Sequence, residues 1–370
     1  MKIIHCADLH LDSRMETHLS KERAKERKAE LLHNVERLVT YAVNEDVRAI
    51  LLAGDVFDGR RVSAAARNTL LGAMADHPEI TFFYLKGNHD DDSFLTGLQE
   101  TPKNLKLFSS DWTTYVLQEG EERVTISGVE ISSENAGSIG NPLVLSSRDI
   151  NIVMLHGEIR QGAGQSKNSA AIDLWSLRNK GIDYLALGHI HQYQRDRLDS
   201  RGIWCYSGCL EGRGMDECGE HGFVLLQINE YTHDVRDTFI PFAQRNIRRV
   251  MVDVTGLENS QAVICKVQDQ IRQYASVSER DLVRLVLTGE VDVEAEMDPV
   301  YIRAALEPDF FFLKVYDETR VKMDPAAYAG DRSLKGEFIR KVMADGSLQE
   351  ADKAEIIRYG LRALAGEEVE

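Results

Sequence analysis

At 370 residues, with 43% hydrophobic and 28% charged residues, the chain has an ordinary globular composition and is long enough for a large domain and a smaller one. Its 44 Lys and Arg against 60 Asp and Glu give a net charge of −16, which argues against tight nucleic-acid binding through a basic surface alone. Apolar runs well short of the roughly 18 residues of a membrane span, no leader pattern before the first strand, and an odd count of five cysteines argue against a membrane or disulfide-built protein and predict a cytoplasmic one.

In chain order, Ile3-Ile4-His5-Cys6-Ala7 reads as a strand that ends at Asp8-Leu9-His10. Lys21 to Asn44 reads as a helix, because Leu31, Leu32, Val35, Leu38, Val39 and Ala42 recur at i, i+3, i+4 spacing. Its mixed-charge first half, KERAKERKAE, reads as a solvated face with i,i+4 pairs, the alternative being a phosphate-contacting patch. A strand from Arg48 to Ala53 runs into Gly54-Asp55-Val56-Phe57-Asp58, and a helix from Ser63 to Asp76 follows, with Ser63 as N-cap. Strand 80–85 ends before Gly87-Asn88-His89-Asp90. Residues 104–148 hold short β-like pieces, the clearest from Val124 to Ile131.

Strand 151–155 leads to His156-Gly157, and Arg160 to Ser169 reads as a mobile polar loop beside it. A helix from Ile172 to Lys180 precedes strand 183–187, which ends at Gly188-His189-Ile190-His191. Strands follow at Ile203 to Tyr206 and Phe223 to Ile228. Alternating strands and helices with β-rich insertions predict an α/β sandwich, and composition shifts near Pro241 to Arg249. We therefore expect a catalytic domain over 1–245, a small α+β domain over 246–325 and a helical segment over 326–370. In that last segment, Ser347 to Glu350 reads as a capping box, and Leu334, Phe338, Ile339, Val342 and Met343 form an apolar stripe. The stripe either packs on its own chain or docks a partner helix.

Five strand ends thus deliver Asp, Asn or His. Asp8, His10, Asp55, Asn88, His156, His189 and His191 would complete a two-metal site, with Asp55 as the bridging carboxylate that offsets repulsion between the ions. Two such ions activate water and neutralise charge on a phosphoryl group. They would also offset several acids of the site, so the net charge does not count against phosphoester chemistry. Mixed nitrogen and oxygen ligation without thiolate points to manganese, with iron or zinc as alternatives. His89 is placed to face the substrate and to stabilise the transition state or protonate a leaving alkoxide. Asp58, counted with His89 in the catalytic pair, and Asp90 in the surrounding shell suit orienting a histidine through its other ring nitrogen. His5, His18, His33, His77, His221 and His233 lack such context and read as structural or surface residues, and Asp91 and Asp92 as a solvated loop. Cys205, Cys209 and Cys218 match no zinc spacing and read as free thiols.

The set DLH, GDVFD, GNHD, HGE and GHIH resembles the calcineurin-like metallophosphoesterase superfamily over roughly residues 1–230. MKIIHCADLHLDS resembles the SbcD-type DNA repair exonucleases, and Tyr206 to Glu217 with Gly222-Phe-Val is similar to their YhaO-like branch. The family's usual Pro-Gly-Ser turn stands here as Ser207-Gly208-Cys209. The resemblance implies a four-layer α/β/β/α sandwich. It implies one metal on Asp8, His10, Asp55 and His191, a second on Asp55, Asn88, His156 and His189, and His89 as catalytic histidine. It further implies that the second domain caps the site and positions DNA, that the C-terminal helices dock on an SbcC-like coiled-coil ATPase, and that the protein is a homodimer. The function expected is a DNA repair exo- or endonuclease, and the alternative a phosphodiesterase or phosphatase for a small-molecule or protein phosphoester.

Overall fold

A computed structural model of the protein describes residues 1–15, 19–59, 62–96, 100–120, 122–132, 135–160, 171–229, 232, 234–273, 277–292, 294–322, 328 and 330–364. The expected loop at 161–169, His18 and His233 lie outside the described residues. The chain divides into two compact units, Met1–Asn246 and Ile247–Glu370.

The first unit runs β1 (Lys2–Cys6), α1 (Lys21–Asn44), β2 (Val47–Ala53), α2 (Ala64–Asp76), β3 (Thr81–Leu85), β4 (Leu105–Leu107), β5 (Thr113–Glu119), β6 (Glu122–Gly128) and β7 (Ile150–His156). It continues with β8 (Glu158–Ile159), β9 (Ala171–Ile172), α3 (Leu174–Leu177), β10 (Tyr184–Gly188), β11 (Gln194–Arg197), β12 (Ile203–Tyr206), β13 (Gly222–Asn229) and β14 (Asp234–Pro241). Most of these strands form two six-stranded sheets, ordered β14-β13-β1-β2-β3-β4 and β11-β12-β10-β7-β6-β5. In the first sheet β1, β2, β3 and β4 are parallel, and in the second β6, β7, β10 and β12 are parallel. Strands covered on both faces read as near-continuous apolar runs, as Ala49 to Ala53 of β2 and Ile152 to Leu155 of β7 do.

Alternation of side chains across each strand builds three apolar layers. Ile3, Ala49, Leu51, Phe83 and Leu85 of the first sheet meet Ile126, Ile152, Met154 and Ala186 of the second in the inter-sheet core. On the outer face of the first sheet, Ile4, Ile50, Leu52 and Phe82 pack on Val35, Leu38 and Val39 of α1 and Leu70 and Met74 of α2. Each fully buried Leu or Val there contributes about 1.5–3 kcal/mol. The outer face of the second sheet, through Val153, Leu155, Leu185 and Leu187, is covered by Ile139, Leu143, Ile172 and Leu177. The fourth layer is therefore thin, built from turns and the single helical turn α3.

Here the structure departs from the expected helix over 172–180. Asp173 accepts a hydrogen bond from the Trp175 amide at 3.0 Å and opens the turn. Arg178 is already extended, and Asn179 (φ 59°) and Gly181 (φ 84°) end it. The Ser63 cap forms as expected, its hydroxyl accepting from the Ala66 amide at 3.1 Å. The KERAKERKAE run is not simply a solvated face. Arg27 is buried and donates to Glu30 and Glu211, each at 2.7 Å, and to the Gly212 carbonyl at 2.7 Å. Arg245 donates to Glu30 at 2.7 Å, so the run ties α1 to two distant segments.

The second unit contains β15 (Ile247–Asp253), α4 (Ser260–Gln273), β16 (Leu282–Thr288), β17 (Glu290–Asp292), α5 (Pro299–Leu306), β18 (Phe312–Asp317), β19 (Arg320–Lys322), α6 (Leu334–Ala344) and α7 (Glu350–Leu364). Its three-stranded sheet β15-β16-β18 is wholly parallel. Val263, Val267, Ile302 and Leu306 from α4 and α5 close over Val250, Val252, Leu285 and Leu313. Residues 326–370 lie within this unit. Most of the α6 stripe is spent internally: Ile339 and Val342, with Phe338 and Met343 beside them, pack on Ile357 of α7, while Leu334 stays 69% exposed. No helix among the described residues is long and apolar enough to cross a membrane.

Candidate metal centre

The parallel strands of both sheets release their chains at the same end. Asp8 and His10 follow β1, Asp55 follows β2, Asn88 and His89 follow β3, His156 closes β7, and His189 and His191 follow β10. All seven expected ligands come together there. The loops continue the strand pairing: the amides of Asp8, His10 and Leu11 donate to the carbonyls of Gly54, Asp55 and Val56, each at 3.0 Å. Those bonds hold Asp8 (φ 53°), His10 (φ 45°) and Asp55 (φ 50°) in left-handed backbone, and His189 also has positive φ at 104°. Such strain, of order 1–3 kcal/mol per residue, persists only where the surroundings dictate it. Gly54 is needed for close approach as well as for its φ of 91°, since a Cβ there would overlap the His156 ring.

Two groups of donor atoms emerge. In one, the Nε2 atoms of His10 and His191 face each other at 3.3 Å. His191 Nε2 lies 3.9 Å from Asp8 Oδ1, and His10 Nε2 lies 3.9 Å from Asp55 Oδ2. In the other, His156 Nε2 is 3.3 Å from that same Asp55 Oδ2 and 3.1 Å from Asn88 Oδ1. Asn88 Oδ1 is in turn 3.0 Å from His189 Nδ1. One oxygen of Asp55 is common to both groups.

The donor set fits a pair of divalent cations. His156 Nδ1–H donates to the Ala53 carbonyl at 2.9 Å, which leaves Nε2 as a lone pair pointing at two oxygens. His191 Nδ1–H donates to Glu217 Oε1 at 2.6 Å, which turns its lone pair toward His10 in the same way. Lone pairs and carboxylates packed this closely need positive charge among them. Burial raises Asp8 to about 6. Burial also opposes ionisation of Asp55, but the His156 hydrogen bond and charge, with the His89 amide, bring it down to about 2. His156 is disfavoured as a cation by burial, yet Asp55 and Asp8 raise it to about 9. A proton on His156 thus offsets these carboxylates, a service a dication between the same atoms would give.

Around the ligands, His89 is exposed over 47% of its side chain, and its Nδ1 lies 3.2 Å from Asp58 Oδ1. The same oxygen is 3.6 Å from His10 Nδ1, and Asp58 Oδ2 is 3.3 Å from the Arg213 guanidinium. His10, with Arg213 and His89, holds Asp58 well below the usual carboxylate range. Asp90 behaves differently from the expectation. Among the described residues it meets no imidazole; its carboxylate accepts from the amides of Gly87 at 2.9 Å, Phe57 at 2.8 Å and Val56 at 3.2 Å. Only three residues from Gly87, it closes its own loop and staples it to the Asp55 loop.

Three residues of the 207–221 segment escaped the sequence reading. Glu217 holds His191, Arg213 holds Asp58, and Glu211 anchors the segment, its carboxylate taking Arg27 at 2.7 Å, Asn34 at 2.9 Å and the Gln244 amide at 2.7 Å. The available signal was an arginine and two glutamates set among glycines in Glu211-Gly212-Arg213-Gly214-Met215-Asp216-Glu217. Of the remaining histidines, His33 and His77 are surface partners of Glu36 and Glu79, while His5 and His221 are buried. Among the described residues, every group of side chains able to hold a metal lies in this region.

Comparison with known proteins gives the same direction. The YhaO protein of Bacillus subtilis (strain 168), an uncharacterized metallophosphoesterase, is 29% identical over 297 residues, covering 78% of this chain and 72% of that protein. The DNA double-strand break repair protein Mre11 of Sulfolobus acidocaldarius is 24% identical over 326 residues, covering 80% of this chain and 77% of its own. Mre11 of Saccharolobus solfataricus is 22% identical over an alignment of 393 residues, covering 100% and 96%. Among solved structures, TT1561 of Thermus thermophilus overlays with a TM-score of 0.42 at 14% identity, over 67% of this chain and 99% of that one. The family model for calcineurin-like phosphoesterases matches residues 1–193. The chain belongs to the calcineurin-like phosphoesterase family and is a metal-dependent phosphoesterase.

Proposed function

We propose that the protein is a two-metal phosphodiesterase that cleaves DNA, serving as the nuclease subunit of a DNA repair assembly. The observation that carries this reading is the shared oxygen, Asp55 Oδ2, 3.9 Å from His10 Nε2 and 3.3 Å from His156 Nε2. Asp8, His10, Asp55 and His191 would hold one ion, and Asp55, Asn88, His156 and His189 the other. Manganese suits this thiolate-free set, with iron or zinc as alternatives. Bound there, the ions would activate water at neutral pH and offset charge on the phosphoryl oxygens.

The chain's own residues do the rest. Asp58, ionised and steadied by Arg213, engages His89 Nδ1 and leaves Nε2 for the substrate. From Nε2 the exposed His89 gives a proton to the leaving alkoxide, a contribution of about 10²–10⁴ in rate. Asp90 holds the two loops that carry Asp55 and Asn88 at a fixed spacing.

Two relatives named as DNA double-strand break repair proteins favour DNA as substrate. In this reading the second unit helps to select and position DNA. Leu334, Tyr359 and Leu364, exposed by 69%, 46% and 47% on α6 and α7, would serve docking on an SbcC-like coiled-coil ATPase, and the protein would act as a homodimer. All five cysteines are free thiols, which suits the cytoplasm. The net charge of −16 favours the second reading, a small-molecule or protein phosphoester.

The test compares manganese-loaded wild type and His89→Ala on labelled DNA, bis-p-nitrophenyl phosphate and p-nitrophenyl phosphate, with bound metal quantified. We expect DNA and diester cleavage by wild type, and a loss of about 10²–10⁴ in the variant with two ions retained. Diester hydrolysis without DNA cleavage, even with the ATPase present, would sink the nuclease reading, and a preference for the monoester would point to a phosphatase.

A further inference from the structure

The histidines of the two donor groups are oriented by unlike partners. His156 is held by a neutral backbone carbonyl, Ala53 O, at 2.9 Å. His191 is held by a full carboxylate, Glu217 Oε1, at the shorter 2.6 Å. A charge-assisted bond of that length fixes the ring and raises the basicity of the opposite nitrogen more than a carbonyl does.

Glu217 is itself fixed at both ends. Its second carboxylate oxygen accepts from the Arg213 amide at 2.6 Å, and Arg213 Nη2 lies 3.9 Å from the first. Its backbone carbonyl accepts from His221 Nε2 at 2.8 Å. That bond assigns the proton of His221 to Nε2, so His221 Nδ1 accepts from the Cys209 thiol at 3.1 Å. Cys209 is buried and paired in backbone with His191, its amide donating to the His191 carbonyl at 3.0 Å. Glu217, His221 and Cys209 thus close a ring of contacts around His191. A surface glutamate meeting a histidine by chance would show none of this: the Glu217 side chain is 14% exposed and every oxygen it carries is engaged.

We infer that Glu217 is the positioning residue of one metal site only, setting the orientation and donor strength of His191 while the site built on His156 and His189 does not depend on it. The inference rests on the two-metal reading above. It makes the two sites unequal by design: one is tuned by a charged partner in the 211–217 segment, the other by the strand backbone.

The test is manganese titration of the metal-free full-length protein by calorimetry, with electron paramagnetic resonance to follow the coupled ion pair, on wild type, Glu217→Gln and Glu217→Ala. Wild type should bind two ions. Glu217→Ala should weaken one of them by about 10–100-fold and leave the other unchanged. Glu217→Gln, which can still accept from Nδ1–H but carries no charge, should show a smaller loss at the same site. The coupled signal should give way to that of a single ion at metal concentrations that saturate wild type. Two unchanged affinities in the glutamine and alanine variants, or equal weakening of both sites with the metal-free melting temperature preserved, would overturn the inference. Should the alanine variant fail to fold, the glutamine variant decides alone. A wild type that binds fewer than two ions would overturn the two-metal reading first, and the inference with it.

Discussion

Both units of this protein place parallel strands side by side and send carboxylates off their ends, yet among the described residues only one of them builds a site. In the second unit Asp253 ends β15, and its Oδ1 accepts from the amide and hydroxyl of Thr255, two residues on, at 2.9 and 2.6 Å. Asp317 ends β18 and does the same with Thr319 at 3.0 and 2.6 Å. Those carboxylates are consumed by their own turns. In the first unit Asp8 instead reaches the amide of His189, 181 residues away, at 3.0 Å, and Asp55 reaches the amide of His89 at 2.8 Å. All 11 histidines of the chain fall before residue 247. A carboxylate at a strand end is therefore common property of parallel sheets. A site arises when such residues from two sheets converge with their polar atoms turned away from their own loops.

The largest effect that separates the two regions should come from removing the carboxylates. Asp55→Asn should abolish binding of at least one ion and reduce phosphodiester turnover by about 10³-fold or more, the scale expected when an essential charge leaves a catalytic centre. Asp253→Asn should leave metal content and turnover unchanged. Inductively coupled plasma analysis and a diester assay on both variants check this, and equal losses would erase the distinction.

Glycine substitutions sharpen the comparison at lower cost. Gly54 and Gly256 both have positive φ, 91° and 75°. A Cβ on Gly256 meets nothing within 4 Å, whereas on Gly54 it would collide with His156. Gly256→Ala should cost only left-handed strain, about 1–2 kcal/mol. Gly54→Ala should cost more than about 3 kcal/mol and should also displace a metal ligand. Urea denaturation with and without manganese measures both.

The ligands were legible before the fold because each motif follows its strand directly, so local pattern alone places Asp8, Asp55, Asn88, His156 and His189 at strand ends. The supporting residues were not, for a physical reason. Glu217 lies 26 residues from His191, Arg213 lies 155 from Asp58, and Glu211 lies 184 from Arg27. Nothing periodic in the sequence links such partners. Arg27 and Glu30 looked like surface charge because a buried ion pair and a solvated one share a composition. Asp90 was misassigned because a carboxylate beside histidines can equally serve backbone amides. The outer layer over the second sheet was overcalled as a helix, where an apolar stretch is cut short by Asn179 and Gly181 in left-handed backbone.

A further difference concerns acid. His5 sits in the inter-sheet core of the first unit, its Nδ1 2.9 Å from the Tyr184 hydroxyl, and burial lowers it from 6.5 to about 3. Between those values the unfolded chain binds a proton that the folded chain refuses, so this residue's share of stability is present above about pH 6.5 and falls as pH drops toward 3. The slope is at most about 1.4 kcal/mol per pH unit. The second unit, with no histidine, has no such term. Denaturation at stepped pH should show a shallower acid slope in His5→Gln than in wild type, and identical slopes would remove His5 from the account.

The most direct test of the central claim is anomalous diffraction from crystals loaded with manganese. The account predicts two peaks, one among Asp8, His10 and His191 and one among Asn88, His156 and His189, with Asp55 between them and no peak in the second unit. A single peak, or one seated at His191, Cys209 and Glu217 instead, would contradict it.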